Sequence, residues 1–365
     1  MKKFVRLIII FLLPFILFYS PYIIGDPFKV LRKYKMYYPE DGGPLWININ
    51  RGHVSTRMYT QYKDTYQWNS FIFGSSRSGA YHVDEWKQYI GSDCRCFHFD
   101  GYGESLYNVY KKVKYLDGKS PIDNALFCID EMLLSKASPD YGHLWITSPT
   151  LEDGTNWTDW HISYLKAYSR FDFIRAYLDF SFTHKVKPYM VESGVIDTVP
   201  FGLYDISANE KVLDLTLQEP DSIWYTPTRL AKFPDRSQSR PYHKSILTPK
   251  HIAMLSEIEE VLRRNNTNYK VIINPTYDQK LYKPQDLHIL DSIFGEHLFD
   301  FSGRNRITED YHNYVDPVHY KSQIANQIMR IIYTEDAQAR KASIDSIYHF
   351  DTPTVGTPDH TKAAR

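Results

Sequence analysis

The chain has no net charge: 43 lysines and arginines stand against 43 aspartates and glutamates. Without a basic excess there is no electrostatic footprint for nucleic acid, and without an acidic one no case for a solvating, disordered chain. Cysteine is scarce. Three thiols in 365 residues, an odd number, argue against a disulfide framework. Cys94 and Cys96 sit two apart on one face of a strand-like run, where neighbours seldom have disulfide geometry. Too few soft ligands accompany them for a metal site, so all three read as buried free thiols. No repeat recurs along the chain, and no small-x-small cleavage site follows its long apolar run.

That run is the clearest regional signal. Leu7–Ile24 reads LIIIFLLPFILFYSPYII, uncharged and near the length that spans a bilayer. Lys2, Lys3 and Arg6 precede it. An uncleaved signal anchor over residues 1–25 is expected, although Pro14 and Pro21 weaken a spanning helix. Lys29, Arg32, Lys33 and Lys35 nearly balance the positive-inside rule. A short basic N-terminus before a large domain favours the domain outside the cytoplasmic membrane. Residues 26–66 read as linker and lead-in, and 336–365 as a flexible tail.

Between these ends the chain alternates. WNSFIFGSS is a strand, Ala80–Ile90 a helix, Cys94–Asp100 a strand, and Gly103–Leu116 a helix with apolar residues at 3.6-type spacing. Asn124–Leu134 ends a third strand. Regularity then lapses from about 135 to 250, with one helix expected over Trp160–Phe180; this insertion suits a lid or substrate wall. Pro249–Asn266 resumes as a helix, and the apolar run Tyr269–Pro275 as a parallel strand buried on both faces. Pro284–Gly295, LFDFSG and Pro317–Tyr333 follow as helix, strand and final helix. The expectation for 67–335 is a three-layer α/β/α sandwich on a parallel sheet. Ligands in such folds bind at the carboxyl ends of strands. Gly74–Ser78, Asp100–Ser105 and Asn274–Asp278 should therefore share one edge.

Two of the chemically suggestive stretches lie far apart. Gly74-Ser75-Ser76-Arg77-Ser78 follows the first strand. Asp316-Pro317-Val318-His319 opens what reads as the last helix, where Asp316 alone would be a cap and Pro317 its first residue. A serine hydroxyl needs a base, and the base an orienting group; Ser, Asp and His supply all three. Glu309 and His312 repeat the spacing but lack the cap signal. Arg77 reads as a salt-bridge partner or an anion contact.

The arrangement resembles the SGNH (GDSL-type) hydrolase superfamily over roughly residues 68–335, the insertion excepted. There a Gly-x-Ser block follows the first strand, a Gly block the second, and Asp-x-x-His closes the chain. The resemblance implies Ser76 as nucleophile, with Ser75 and then Ser78 as rivals, His319 as general base and Asp316 as its orienter. It implies an oxyanion hole from the N–H groups of Ser76 and Gly103, and no cofactor or resident metal. The third block departs from the pattern: the third strand runs into CIDEMLL, with no Gly-x-Asn. Asn274 reads as a turn residue before Pro275 rather than as a substitute.

Among members of that superfamily, the anchor and Gly-Ser-Ser block look like those of proteins that move acyl groups in alginate O-acetylation and teichoic-acid D-alanylation. The implied activity is acyl transfer or ester hydrolysis through an acyl-serine. The implied partners are the membrane and a cell-envelope polysaccharide or acyl-donor protein. Two alternatives remain open: a binding protein on the same fold without catalysis, and a hydrolase with a metal at His312, Asp316 and His319.

Overall fold

Short apolar runs, closed at their carboxyl ends by Gly, Asp or Asn, form the sheet of the computed structural model, which describes residues 2–151, 155–213, 220–236 and 242–348. Its strands are β1 Ser70–Gly74, β2 Cys96–His98, β3 Asn124–Ile129, β4 Asn268–Ile273 and β5 Leu298–Asp300. All pair in parallel in the order β2-β1-β3-β4-β5. The winding direction switches between β1 and β3, so the carboxyl ends of these two strands flank the crevice where such sheets take ligands.

Alternation along the strands sends side chains to two cores. Phe71, Phe73, Phe97 and Phe127 face one, Ile72, Leu126, Cys128 and Ile272 the other. Each fully buried side chain of this size contributes roughly 1.5–3 kcal/mol. The named helices are α1 Lys2–Gly25, α2 Arg51–Tyr66, α3 Val83–Ile90, α4 Leu106–Leu116, α5 Trp157–Tyr168, α6 Phe171–Thr183, α7 Pro249–Arg264, α8 Pro284–Phe294, α9 Ser322–Ile332 and α10 Ala337–Tyr348. Helices α2, α4, α7 and α8 cover the phenylalanine face; α3, α9 and α10 cover the other. The result is helix, sheet, helix.

β1 ends at Gly74 for a steric reason. A Cβ there would lie 2.8 Å from Ser78 Cβ and 2.9 Å from the Cys128 carbonyl oxygen. Only glycine lets β1 run out beside β3 while the chain turns back over it.

Several expectations are corrected. Residues 26–66 are not only lead-in: α2, capped by Asn50 on the His53 amide, buries Val54, Met58 and Tyr59 in the main core. The helix expected over 160–180 is two, α5 and α6, separated at Ser169–Arg170. The last helix starts at Ser322, not Pro317. In the tail, α10 buries Ile347, and Tyr348 Oη donates to the Asp300 and Ser302 carbonyls; residues 349–365 lie outside the described residues. Cys96 and Cys128 are buried free thiols, whereas Cys94 is only half-buried.

The N-terminal run is helical straight through Pro14 and Pro21. Its last turn docks: Tyr22 joins Phe28, Trp160, Tyr164, Tyr168 and Phe173 in a separate aromatic cluster. Earlier turns leave Phe4, Leu7, Phe11, Phe15 and Leu17 exposed. Among the described residues no helix is long and apolar enough to cross a membrane; the side chains at positions 1, 2, 5, 8 and 9 lie outside them.

Candidate active site

The turn after β1 sorts its three hydroxyls. Ser75 is extended and buried, its Oγ donating to Asp130 Oδ2 at 3.3 Å. Ser78 is buried too; its Oγ donates to the Ser75 carbonyl at 2.7 Å and meets His98 Nε2 at 2.9 Å. Both are consumed by scaffold. Ser76, the first residue of the 3₁₀ turn Ser76–Ala80, is half-buried, with its Oγ 2.8 Å from His319 Nε2. The expected contact across 243 positions is there, and neither rival serine makes it.

Asp316 and His319 do not begin a helix. They face each other across a tight hairpin, Tyr314–Asp316 pairing with His319–Tyr320. Asp316 Oδ1 accepts the backbone N–H groups of Val318 and His319 at 2.8 and 3.0 Å, so the aspartate caps the turn rather than a helix. Its Oδ2 lies 2.8 Å from His319 Nδ1. A carboxylate only accepts, which assigns the proton to Nδ1 and leaves Nε2 free to take one from Ser76. Burial pushes the Asp316 carboxyl up, but the bonds from His319 and the two amides outweigh it and hold it below its ordinary value. His319 and Asp316 keep 34% and 43% of their side chains exposed, so substrate can reach them.

The hairpin is held from three sides. Tyr320 Oη donates to Asn274 Oδ1 at 2.7 Å, so Asn274 is a support at the end of β4 rather than a turn residue alone. From the insertion, Trp224 Nε1 donates to the Val315 carbonyl at 3.0 Å and Tyr225 Oη to that of Tyr314 at 2.6 Å. From the serine turn, Arg77 Nε donates to the Val318 carbonyl at 2.6 Å, while its Nη1 lies 2.7 Å from Asp130 Oδ2. Arg77 thus ties the base-bearing hairpin to the end of β3, a role its sequence context leaves undecided. Asp130 stands where an asparagine donor was sought, and it accepts bonds from the Leu133 amide, Ser75 and Arg77.

Ser76, Asp316 and His319 open on a cleft of about 330 Å³. Tyr102 and Phe201 give it aromatic walls, and the buried pair Arg51–Asp100 (2.9 Å) lies at its back. Phe201, Glu210 and Lys211 come from the insertion, which therefore supplies a wall. The helical part, α5 and α6, packs instead with the end of α1. Gly103 is not part of the lining. Its φ of +60° and a would-be Cβ 2.9 Å from Trp145 Nε1 explain the glycine by turn and packing. Among the expected site residues, Ser76, Asp316 and His319 converge and Gly103 does not join them. The Ser76 N–H opens a helical turn and has no intrahelical acceptor, so it remains available to an oxyanion.

His312 Nδ1 lies 2.8 Å from Asp310 Oδ1, and Glu309 Oε2 3.0 Å from Arg304 Nε. Neither belongs to the cleft. Among the described residues no three His, Cys, Asp or Glu side chains are grouped to hold a metal ion. No protein-family model, no curated protein and no solved structure matches this chain.

Proposed function

We propose that the chain is a serine-dependent acyltransferase or esterase of SGNH type, working through an acyl-Ser76 intermediate. The observation that carries this reading is the unbroken relay Ser76 Oγ–His319 Nε2, 2.8 Å, and His319 Nδ1–Asp316 Oδ2, 2.8 Å, opening on a cleft. His319 takes the Ser76 proton as Oγ bonds the acyl carbon, then passes it to the leaving group. An acceptor hydroxyl, of water or of a sugar, next gives its proton to His319 and attacks the same carbon, and Oγ departs with that proton. Asp316 steadies the imidazolium formed between the two transfers.

A cell-envelope polymer suits an open cleft with aromatic walls better than a small buried ester does. The apolar side chains that α1 leaves exposed support a membrane anchor, and the short basic N-terminus before a large domain supports a domain outside the cytoplasmic membrane. The full chain is expected to float with liposomes; a protein that stays in the dense fraction contradicts the anchor.

A second reading, a binding protein on the same fold, is favoured by Asp130 standing where a third oxyanion donor is wanted. Loss of one such donor costs about 10²–10³-fold in kcat, not all turnover. Hydrolysis of p-nitrophenyl acetate separates the two. Slow turnover that falls in Ser76→Ala supports the enzyme; wild-type hydrolysis no faster than that of heat-denatured protein supports the binding protein.

A further inference from the structure

A second serine relay faces the cleft. His82 Nδ1 lies 2.6 Å from Glu210 Oε1, and His82 Nε2 lies 3.0 Å from Ser322 Oγ. Glu210 and Ser322 both line the cleft that holds Ser76. The three come from separate elements: the cap of α3, the insertion strand Glu210–Leu213, and the first residue of α9. Glu210 is buried and its other oxygen accepts the Val83 amide at 2.8 Å, which fixes the carboxylate. The ring is thereby oriented with Nδ1–H toward Glu210 and Nε2 toward the hydroxyl.

The geometry points to Ser322 as a second nucleophile, with His82 as its general base and Glu210 as the positioning carboxylate, acting on the same class of acyl ester as Ser76. Ser322 opens an 11-residue helix, so its own N–H and that of Gln323 have no intrahelical acceptor and stand at the positive end of the helix dipole. An oxyanion formed at Ser322 would meet both donors, a ready arrangement that the Ser76 turn offers in part only. The step balances without a further reagent. Ser322 Oγ bonds the acyl carbon, the ester C–O bond breaks, and the Ser322 proton passes through His82 Nε2 to the departing alcohol. A brace joining α3, α9 and the insertion would show the same distances, so the test must read chemistry.

Full-length Ser76→Ala is incubated with a fluorophosphonate and the adduct is mapped by peptide mass spectrometry. The adduct is expected on Ser322, and adding His82→Gln should slow its formation at least about 100-fold, the lower bound for a general base. Labelling of Ser322 at the same rate without His82 overturns the relay, and no adduct on Ser322 overturns the proposal whether or not the His82 variant folds. Wild-type protein separates this from the first reading. Labelling at Ser76 alone removes the second nucleophile and leaves the first, whereas labelling at Ser322 alone does the reverse.

Discussion

The turns after β1 and β3 end neighbouring strands at one edge of the sheet, yet they do opposite things. After β1 the chain rolls into a 3₁₀ turn that lifts Ser76 into the cleft. After β3 it starts the short helix Glu131–Leu134, whose cap, Asp130, is 1% exposed and bonded inward to Arg77, Ser75 and the Leu133 amide. One turn presents a reactive group and the other braces it. The brace matters because nucleophile and base ride on separate segments, and Arg77 is bonded to Asp130 and to the residue beside His319. Accuracy at a two-segment site depends on such supporting contacts.

That division can be broken most sharply at the presenting turn. In a Ser322→Ala background, which removes the second nucleophile proposed above, Ser76→Ala and His319→Ala should each lower turnover of an ester by about 10⁴–10⁶-fold, the scale seen when a serine relay loses its nucleophile or base. The unfolding free energy should stay within about 0.5 kcal/mol of wild type for Ser76→Ala, a partly exposed site with one hydroxyl contact. Asp316→Ala should cost less in rate, about 10³–10⁴-fold, since it orients the ring and moves no proton. As its carboxyl is held below the ordinary value, its contribution persists above that range and fades as pH falls through the lowered value; pH–rate profiles read this.

The bracing turn should fail differently. Asp130→Ala leaves the buried Arg77 guanidinium without its counter-ion, and loss of one partner of a buried pair costs about 3–5 kcal/mol. Denaturant unfolding should show that loss, with residual turnover above that of Ser76→Ala. Equal rate losses in both would erase the distinction between presenting and bracing. Ser75→Ala should cost only about 1 kcal/mol, one hydrogen bond, and Ser78→Ala about 2 kcal/mol, since it loses two and leaves buried His98 without that partner; both should keep most activity. The smallest effect concerns His82. Its bond to Glu210 raises its pKa, over an opposing push from burial, with Glu85 and Asp84 adding to the rise. The stability this gives is present below the ordinary histidine value and is lost as pH rises through the raised one. Unfolding midpoints should fall over that window, and His82→Gln should flatten the trend.

The sheet was readable because its strands are apolar runs that end in Gly, Asp or Asn, with 3.6-period helices between them. The hairpin was not: Asp-Pro is also the preferred opening of a helix, and it took the pairing of Tyr314 with Tyr320 to choose the turn. Helix α2 escaped because Arg51, His53, Ser55 and Thr56 are buried polar residues, which blurs its apolar stripe. Within the site, the Gly-x-Ser register pointed to Ser76 over Ser75, and the three-residue spacing to Asp316 with His319. Gly103 lies outside the cleft lining and is accounted for by turn and packing, and such glycines look the same in sequence as one that serves an oxyanion. Nothing local marks His82, Glu210 and Ser322, which only the tertiary fold gathers, nor Asp130 as the partner of Arg77.

The central claim is that Ser76 is the residue activated by His319. Wild-type protein quenched during turnover of p-nitrophenyl acetate and digested for peptide mass spectrometry tests it directly. An acetyl group on Ser76, absent when His319 is alanine, is the expected result. Acetylation confined to Ser75 or Ser78, or an acetyl-Ser76 that forms equally fast without His319, would contradict it.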